Sequence, residues 1–146
     1  MGPLERLGRA FLLGHQGIYE KSGGLIGHRA LGVPTLLLRT TGARTGKTRV
    51  NALAYGRNGA GYVVVASNGG SDRAPGWLHN VRADPQVEVQ VGRRRMPATA
   101  RIVAPGDADY EHLWDLANRI PFNRNRYRQY QKKTERPIPV VVATPR

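Results

Sequence analysis

Thr41 to Arg49 reads TGARTGKTR and places two glycines, three hydroxyls and three cations between two apolar runs. Hydroxyls, fixed charge and a permissive backbone at that density suit an anion, most of all a phosphate. The glycines let the main chain approach closely. Arg44 and Arg49 can each direct two parallel N–H donors at phosphate oxygens, and Lys47 adds a compact charge. An ordinary exposed hairpin loop with solvated charges accounts for the same residues, so the stretch alone leaves both readings open.

The stretch also imitates the nucleotide-binding P-loop, G-x-x-x-x-G-K-[ST], which follows a strand and opens a helix. Only Ala43, Arg44 and Thr45 separate Gly42 from Gly46, one residue too few, which changes which N–H groups converge. Arg49 to Tyr55 then alternates like a strand. No later apolar strand ends in a carboxylate to hold magnesium. The spacing excludes an NTPase.

The elements that must position this turn can be read along the chain. Leu4, Leu7 and Phe11 recur at helical spacing and predict a short amphipathic helix over 3–13; its apolar face would cover the core or, alternatively, lie on a membrane. Glycines at 14, 17, 23, 24 and 27 predict a surface loop. Strands are expected at 35–40, 49–55, 62–66, 87–91, 96–103 and 137–144. A tight turn is expected over 57–61 from its Asn-Gly signal and another over 92–95. Trp77 to Ala83 reads as a short helix ended by Asp84-Pro85. Asp107 reads as the N-cap of a helix through about Ile120 with Glu111 in its first turn, and Phe122 to Lys133 as a second, basic helix. Tyr127 and Tyr130 share a face of that second helix. About six strands in antiparallel pairs, with helices, predict a small closed barrel with the helices packed outside, since closure removes exposed edges.

At 146 residues the chain is read as one domain, 1–146, large enough for a single core. There are no cysteines, which removes disulfides, thiolate nucleophiles and cysteine zinc sites. No run reaches the ~20 apolar residues of a spanning helix and no signal peptide is visible, so a cytoplasmic location is expected, with peripheral membrane contact through the 3–13 helix as the alternative. The net charge of +13 predicts attraction to polyanions: nucleic acid, an acidic membrane or an anionic cofactor. Hydrolase and metal chemistry find little support. There is no G-x-S-x-G, the serines are Ser22, Ser67 and Ser71, and His15, His28, His79 and His112 show no ligand spacing.

Several further motifs fall in order: TGARTGKTR (41–49), ASNGG (66–70), PGWLHN (75–80), the ADP-x-VEVQV strand entry (83–91) and the proline-rich closing strand. Together they resemble the deazaflavin-dependent nitroreductase family, from about Tyr19 to the C-terminus. The resemblance implies a split β-barrel of the FMN-binding superfamily and a preference for coenzyme F420, a 5-deazaflavin with a phosphate and a polyglutamate tail; FMN is the alternative cofactor. It implies that Ala43, Arg44, Thr45, Gly46, Lys47 and Arg49, with Val50, Asn51, Ala52, Leu53 and Ala54, line the phosphate and ring site. Val65, Ala66, Ser67 and Asn68 would offer backbone groups to the deazaflavin. Gly76, Trp77, Leu78, His79 and Asn80 would close over it, with Trp77 as an aromatic wall. Tyr127, with Tyr130 and Ser67 as further polar groups, would face the substrate. The chain departs from the family pattern at Ala43, where a cation is common, at Asn68, where a basic residue is usual, and at Ala54, where an aromatic can stand.

The resemblance therefore implies hydride transfer from reduced F420 to a small electron-poor acceptor: a quinone, nitroaromatic or activated enone. Tyr127 would hydrogen-bond the substrate oxygen or donate the proton. A carrier that binds F420 without chemistry fits the same residues. A nucleic-acid-binding module is the reading from another class, since Arg93-Arg94-Arg95, and Arg124, Arg126 and Arg128 beside Tyr127 and Tyr130, combine charge with stacking aromatics. No recognised motif accompanies them, and no specific nucleic acid is expected.

Overall fold

A computed structural model describes residues 33–121 and 123–146; the helix expected over 3–13 and the loop after it lie outside those residues. Seven strands are present, β1 (Thr35–Thr41), β2 (Thr48–Ala54), β3 (Gly56–Asn58), β4 (Gly61–Val65), β5 (Gln86–Val91), β6 (Arg94–Val103) and β7 (Val140–Pro145). All pair antiparallel in one sheet ordered β2-β1-β5-β6-β7-β4-β3. β2 and β3 stand at opposite ends of that order, yet only Tyr55 separates them in the chain. The sheet must curl until its two ends approach each other, which is the split barrel.

Alternation assigns the faces. Val87 and Val89 of β5 and Met96, Ala98 and Ala100 of β6 point inward with Leu36, Leu38, Tyr62, Val64 and Val141. Glu88, between the two valines, faces outward to Arg95 at 2.7 Å and Arg39 at 3.8 Å. Helix α1 (Gly76–Ala83) delivers Trp77, Leu78 and Val81 to the inner cluster. Helices α2 (Tyr110–Asn118) and α3 (Arg126–Gln131) pack on the other face, where Leu113, Trp114, Ala117 and Tyr127 cover Val63, Val65, Val140 and Val142. No helix among the described residues is long and apolar enough to cross a membrane.

The structure corrects several expected boundaries. Asn58 pairs with Gly61 and Val91 with Arg94, so the turns shrink to two residues, Gly59-Ala60 and Gly92-Arg93. Two-residue turns match the twist of a β-ribbon, so the ladders run up to them and absorb Arg57, Asn58, Arg94 and Arg95. Asp107 does not cap a helix. Its carboxylate accepts the Ala104 N–H at 2.8 Å and closes the turn before the helix, which starts at Tyr110 after Asp109. Asp109 is in turn held by Arg101 at 2.7 Å. The basic helix expected over 122–133 is only Arg126–Gln131, because Arg124 (φ 52°) and Asn125 (φ 58°) are left-handed and cannot belong to it.

Burial pushes the Tyr127 hydroxyl up to about 12, with Tyr130 adding to the shift and Arg126 opposing it. Tyr110 is also pushed up to about 12 by burial, then by Glu111. Both hydroxyls therefore hold their protons more tightly folded than unfolded, so stability is intact below pH 10 and is lost as pH rises toward about 12. Tyr127→Phe should flatten part of that alkaline loss, measured as melting temperature against pH. Nothing among the described residues accepts from the Tyr127 hydroxyl, so the variant should melt no lower than the parent at neutral pH. An unchanged alkaline slope would contradict the assignment.

Candidate functional site

The 42–47 turn is closed by its own backbone. Gly42 N–H donates to Lys47 O at 2.7 Å, Gly46 N–H to Gly42 O at 2.8 Å, and Lys47 N–H to Thr45 Oγ1 at 3.2 Å. A Cβ on Gly42 would meet Thr45 Oγ1 at 2.9 Å and Lys47 O at 3.0 Å, so a side chain there would crowd the turn. Ala43 N–H donates to Asn80 Oδ1 at 2.9 Å, and Asn80 Nδ2 donates to Thr40 Oγ1 at 3.1 Å. One side chain of α1 thus ties the turn to the end of β1. The N–H groups of Arg44 and Thr45 have no acceptor among the described residues. The register Thr40↔Arg49, Leu38↔Asn51 and Leu36↔Leu53 puts Arg49, Asn51 and Leu53 on the inner face, and Val50, Ala52 and Ala54 on the outer one.

Ion pairing separates the cations of this turn from five arginines of the described surface. Glu88, Asp109 and Asp115 take up Arg39, Arg95, Arg101, Arg119 and Arg128. Arg44, Lys47 and Arg49 form no ion pair among the described residues, and all are exposed. Arg93 and Arg94 are also unpaired, so a missing partner is not distinctive alone. The combination of free cations, free N–H groups and a braced backbone is.

The second group of candidates sits where β4 ends. Val65 joins the outer cluster and Ala66 the inner one, so neither side chain is available and both can contribute only backbone. Ser67 is right-handed (φ −81°, ψ −34°), and Asn68 (φ 45°), Gly69 (φ 65°) and Gly70 (φ 84°) are left-handed. A right-to-left step of this kind makes a nest, in which successive N–H groups converge on one point. The N–H groups of Ser67, Asn68 and Gly69 have no acceptor among the described residues, and neither does the Ser67 hydroxyl, although Ser67 is only 8% exposed. Asn68 and Gly69 are exposed, so the cost falls on Ser67, whose buried N–H and hydroxyl are left without acceptors unless a ligand takes them.

Two residues that carried no sequence signal brace this nest. Arg136 donates to Ala66 O at 3.3 Å, Ser67 O at 3.0 Å and Ser71 O at 3.2 Å. Thr134 donates to Asp72 Oδ1 at 2.6 Å, so Asp72 holds the loop to the chain after α3. These partners are more than sixty residues apart in sequence, beyond the reach of any local pattern.

Tyr127 is buried beside Trp114 (6.5 Å between centroids) and Tyr130 (6.3 Å). Tyr130 is half-buried and lies against the nest: a Cβ on Gly70 would stand 2.8 Å from Tyr130 O. The structure thus brings Ser67, Asn68 and the α3 tyrosines to one region. It brings Ala43 and Asn80 together at the other, with the 67–75 loop and α1 joining the two. Within 76–80, Trp77 and Leu78 are core residues, Gly76 and His79 are exposed, and Asn80 is half-buried. Two open grooves, about 860 and 410 Å³, lie elsewhere, around Asp115, Arg119 and Pro121. They contain no buried donor without a partner, and two of their cations, Arg119 and Arg128, are tied to Asp115.

Gly70→Ala should be sharply destabilising, because it combines a left-handed backbone with a main-chain clash, about 2 kcal/mol or more. Thermal melting checks this, with Gly69→Ala as the control for strain alone, since nothing lies within 4 Å of a Cβ there.

Comparison with known proteins bears on the family. Residues 13–145 match the model of the F420H(2)-dependent quinone reductase family. An F420H(2)-dependent quinone reductase of Mycobacterium tuberculosis (strain ATCC 25618 / H37Rv) is 50% identical over 145 residues, covering 98% of this chain and 96% of that protein. The structure of the F420-H2 dependent reductase FDR-A is similar at 40% identity and TM-score 0.65, covering 75% of this chain and 93% of that one. A structure described as a domain-swapped dimer is similar at 34% identity and TM-score 0.68, covering 92% and 98%. With most of its length inside the match, this chain belongs to the F420H(2)-dependent quinone reductase family.

Proposed function

We propose that this chain reduces a quinone by two electrons at the expense of reduced F420, with the cofactor held between the 42–49 turn and the Ser67–Gly69 nest. The observation that carries the reading is the set of donors left without acceptors in a braced, partly buried place: three successive N–H groups, the Ser67 hydroxyl and the Tyr127 hydroxyl. Such a set fits a ring system rich in carbonyl oxygens beside a reducible oxygen. Bound F420 supplies the hydride.

The chain's own residues do the rest. Arg44 and Arg49, with Lys47 and the N–H groups of Arg44 and Thr45, grip the phosphate; Thr45 and Gly46 shape the turn. Ala43 brings no cation, and its N–H, taken by Asn80 Oδ1, steadies the turn. Asn51 and Leu53 face the interior beside Arg49, while Val50, Ala52 and Ala54 support the strand from outside. Trp77 and Leu78 back the site from within the core, and Gly76 and His79 form its exposed lip. Tyr127, with a hydroxyl at about 12, stays protonated at neutral pH. It is suited to donating a hydrogen bond to the acceptor oxygen and poorly suited to surrendering its proton. Tyr130 flanks it.

Mixing the protein with reduced F420 and a soluble quinone, and following the absorbance of the oxidised deazaflavin, tests the reaction. Turnover supports it; binding without turnover would leave a carrier, and binding of FMN in place of F420 would overturn it. Arg44→Ala with Arg49→Ala should weaken F420 affinity by about a hundredfold, the loss of two charge-assisted contacts. Unchanged affinity would refute the phosphate clamp.

A further inference from the structure

We infer that Arg136 is a positioning residue for the cofactor, gripping the carbonyls of Ala66 and Ser67 so that the N–H groups of Ser67 and Asn68 face the ligand. The inference rests on the reading of the nest given above. A guanidinium presents five donors in one plane. Here its Nη1 reaches Ala66 O at 3.3 Å, its Nη2 reaches Ser67 O at 3.0 Å and Ser71 O at 3.2 Å, and its Nε reaches Ser71 O at 3.3 Å. The contacts bracket the turn on both sides.

The consequence follows from peptide planarity. In a trans peptide the C=O of one residue and the N–H of the next point in opposite directions. Holding Ala66 O therefore aims Ser67 N–H away from Arg136, and holding Ser67 O aims Asn68 N–H the same way. These are two of the three free donors of the nest. No carboxylate forms an ion pair with Arg136 among the described residues, so its charge sits behind the peptide groups and strengthens their pull on an electron-rich oxygen. Asp72, the nearest acid by its effect on Arg136, is occupied by the Thr134 hydroxyl.

Arg136 is itself held still. Its N–H donates to Thr134 Oγ1 at 3.1 Å, and Gln131 Nε2 donates to Arg136 O at 2.9 Å. Gln131 Oε1 accepts the Ile138 N–H at 2.9 Å, so the end of α3 fixes the segment that carries the arginine. A lysine keeps the charge but cannot bracket two carbonyls on one side of a turn and a third on the other.

The test uses the full chain with oxidised F420 for binding and reduced F420 plus a quinone for turnover. Arg136→Met should weaken F420 affinity about tenfold or more and lower kcat, while leaving the KM for quinone within about twofold. Arg136→Lys should recover part of the affinity. Hydrogen exchange supplies a second reading: F420 should protect the Ser67, Asn68 and Gly69 amides in the unaltered chain and fail to do so in Arg136→Met, with Val63 to Val65 equally protected in both. If Arg136→Met does not fold, Arg136→Lys and Thr134→Val, which removes the group holding the arginine, carry the same readings. Folded variants with unchanged affinity, kcat and amide protection would overturn the inference, as would a loss that spreads equally to the β4–β7 ladder. Failure of the unaltered chain to bind F420 would overturn the cofactor reading and this inference together; binding by it with unchanged variants would overturn this inference alone.

Discussion

Tyr55 is all that separates two strands standing at opposite ends of a seven-stranded sheet. That single covalent constraint makes the sheet curl, and the rest of the molecule follows from the curl. Tyr55 N–H donates to Pro34 O at 3.1 Å, which ties the junction to the entry of β1. Its ring meets Tyr62 edge-on at 5.5 Å, so an aromatic pair fills the seam. Strand residues alone do not complete the concave face of the curled sheet, and α1 supplies Trp77, Leu78 and Val81 to it. The convex face is left to α2 and α3.

The placement of α1 is what assembles a site. A helix that must enter the barrel from the end of the 67–75 loop carries Asn80 to the β1–β2 turn, where it bonds both Ala43 and Thr40. The same loop begins at the nest, which the chain after α3 grips through Arg136 and Thr134. Elsewhere Glu88, Asp109 and Asp115 are taken by arginines. The 42–49 turn offers free N–H groups with Arg44, Lys47 and Arg49 beside them, and the nest offers further free N–H groups, an arrangement that suits a large anionic ligand spanning both.

Much of this was readable in the residues. Leu36-Leu37-Leu38, the alternating valines of β5 and the YVVVA run specify strands because a pleated, half-buried surface selects them. The missing residue between Gly42 and Gly46 excluded a nucleotide triphosphatase before any fold was known. The order of the short motifs identified the family, which the comparison with known proteins supports over most of the chain. What escaped was cooperative. Asp107 has the composition of a helix cap, yet the turn at Ala104 claims its carboxylate first. Arg124 and Asn125 sit in a run of helix-compatible residues, yet left-handed backbone delays the helix past them.

By itself, then, the sequence determined six of the seven strands and the family, and pointed to an anion-seeking turn, because each rests on side-chain pattern within a few residues. Only the tertiary structure decided that Trp77 is buried in the core, that Asn80 braces the 42–47 turn, and that Arg136 braces the nest. Those outcomes depend on which distant carbonyls and faces the curl of the sheet brings within 3 to 4 Å of a side chain. Contacts between residues dozens of positions apart leave no period and no spacing in the chain; they exist once the barrel has closed.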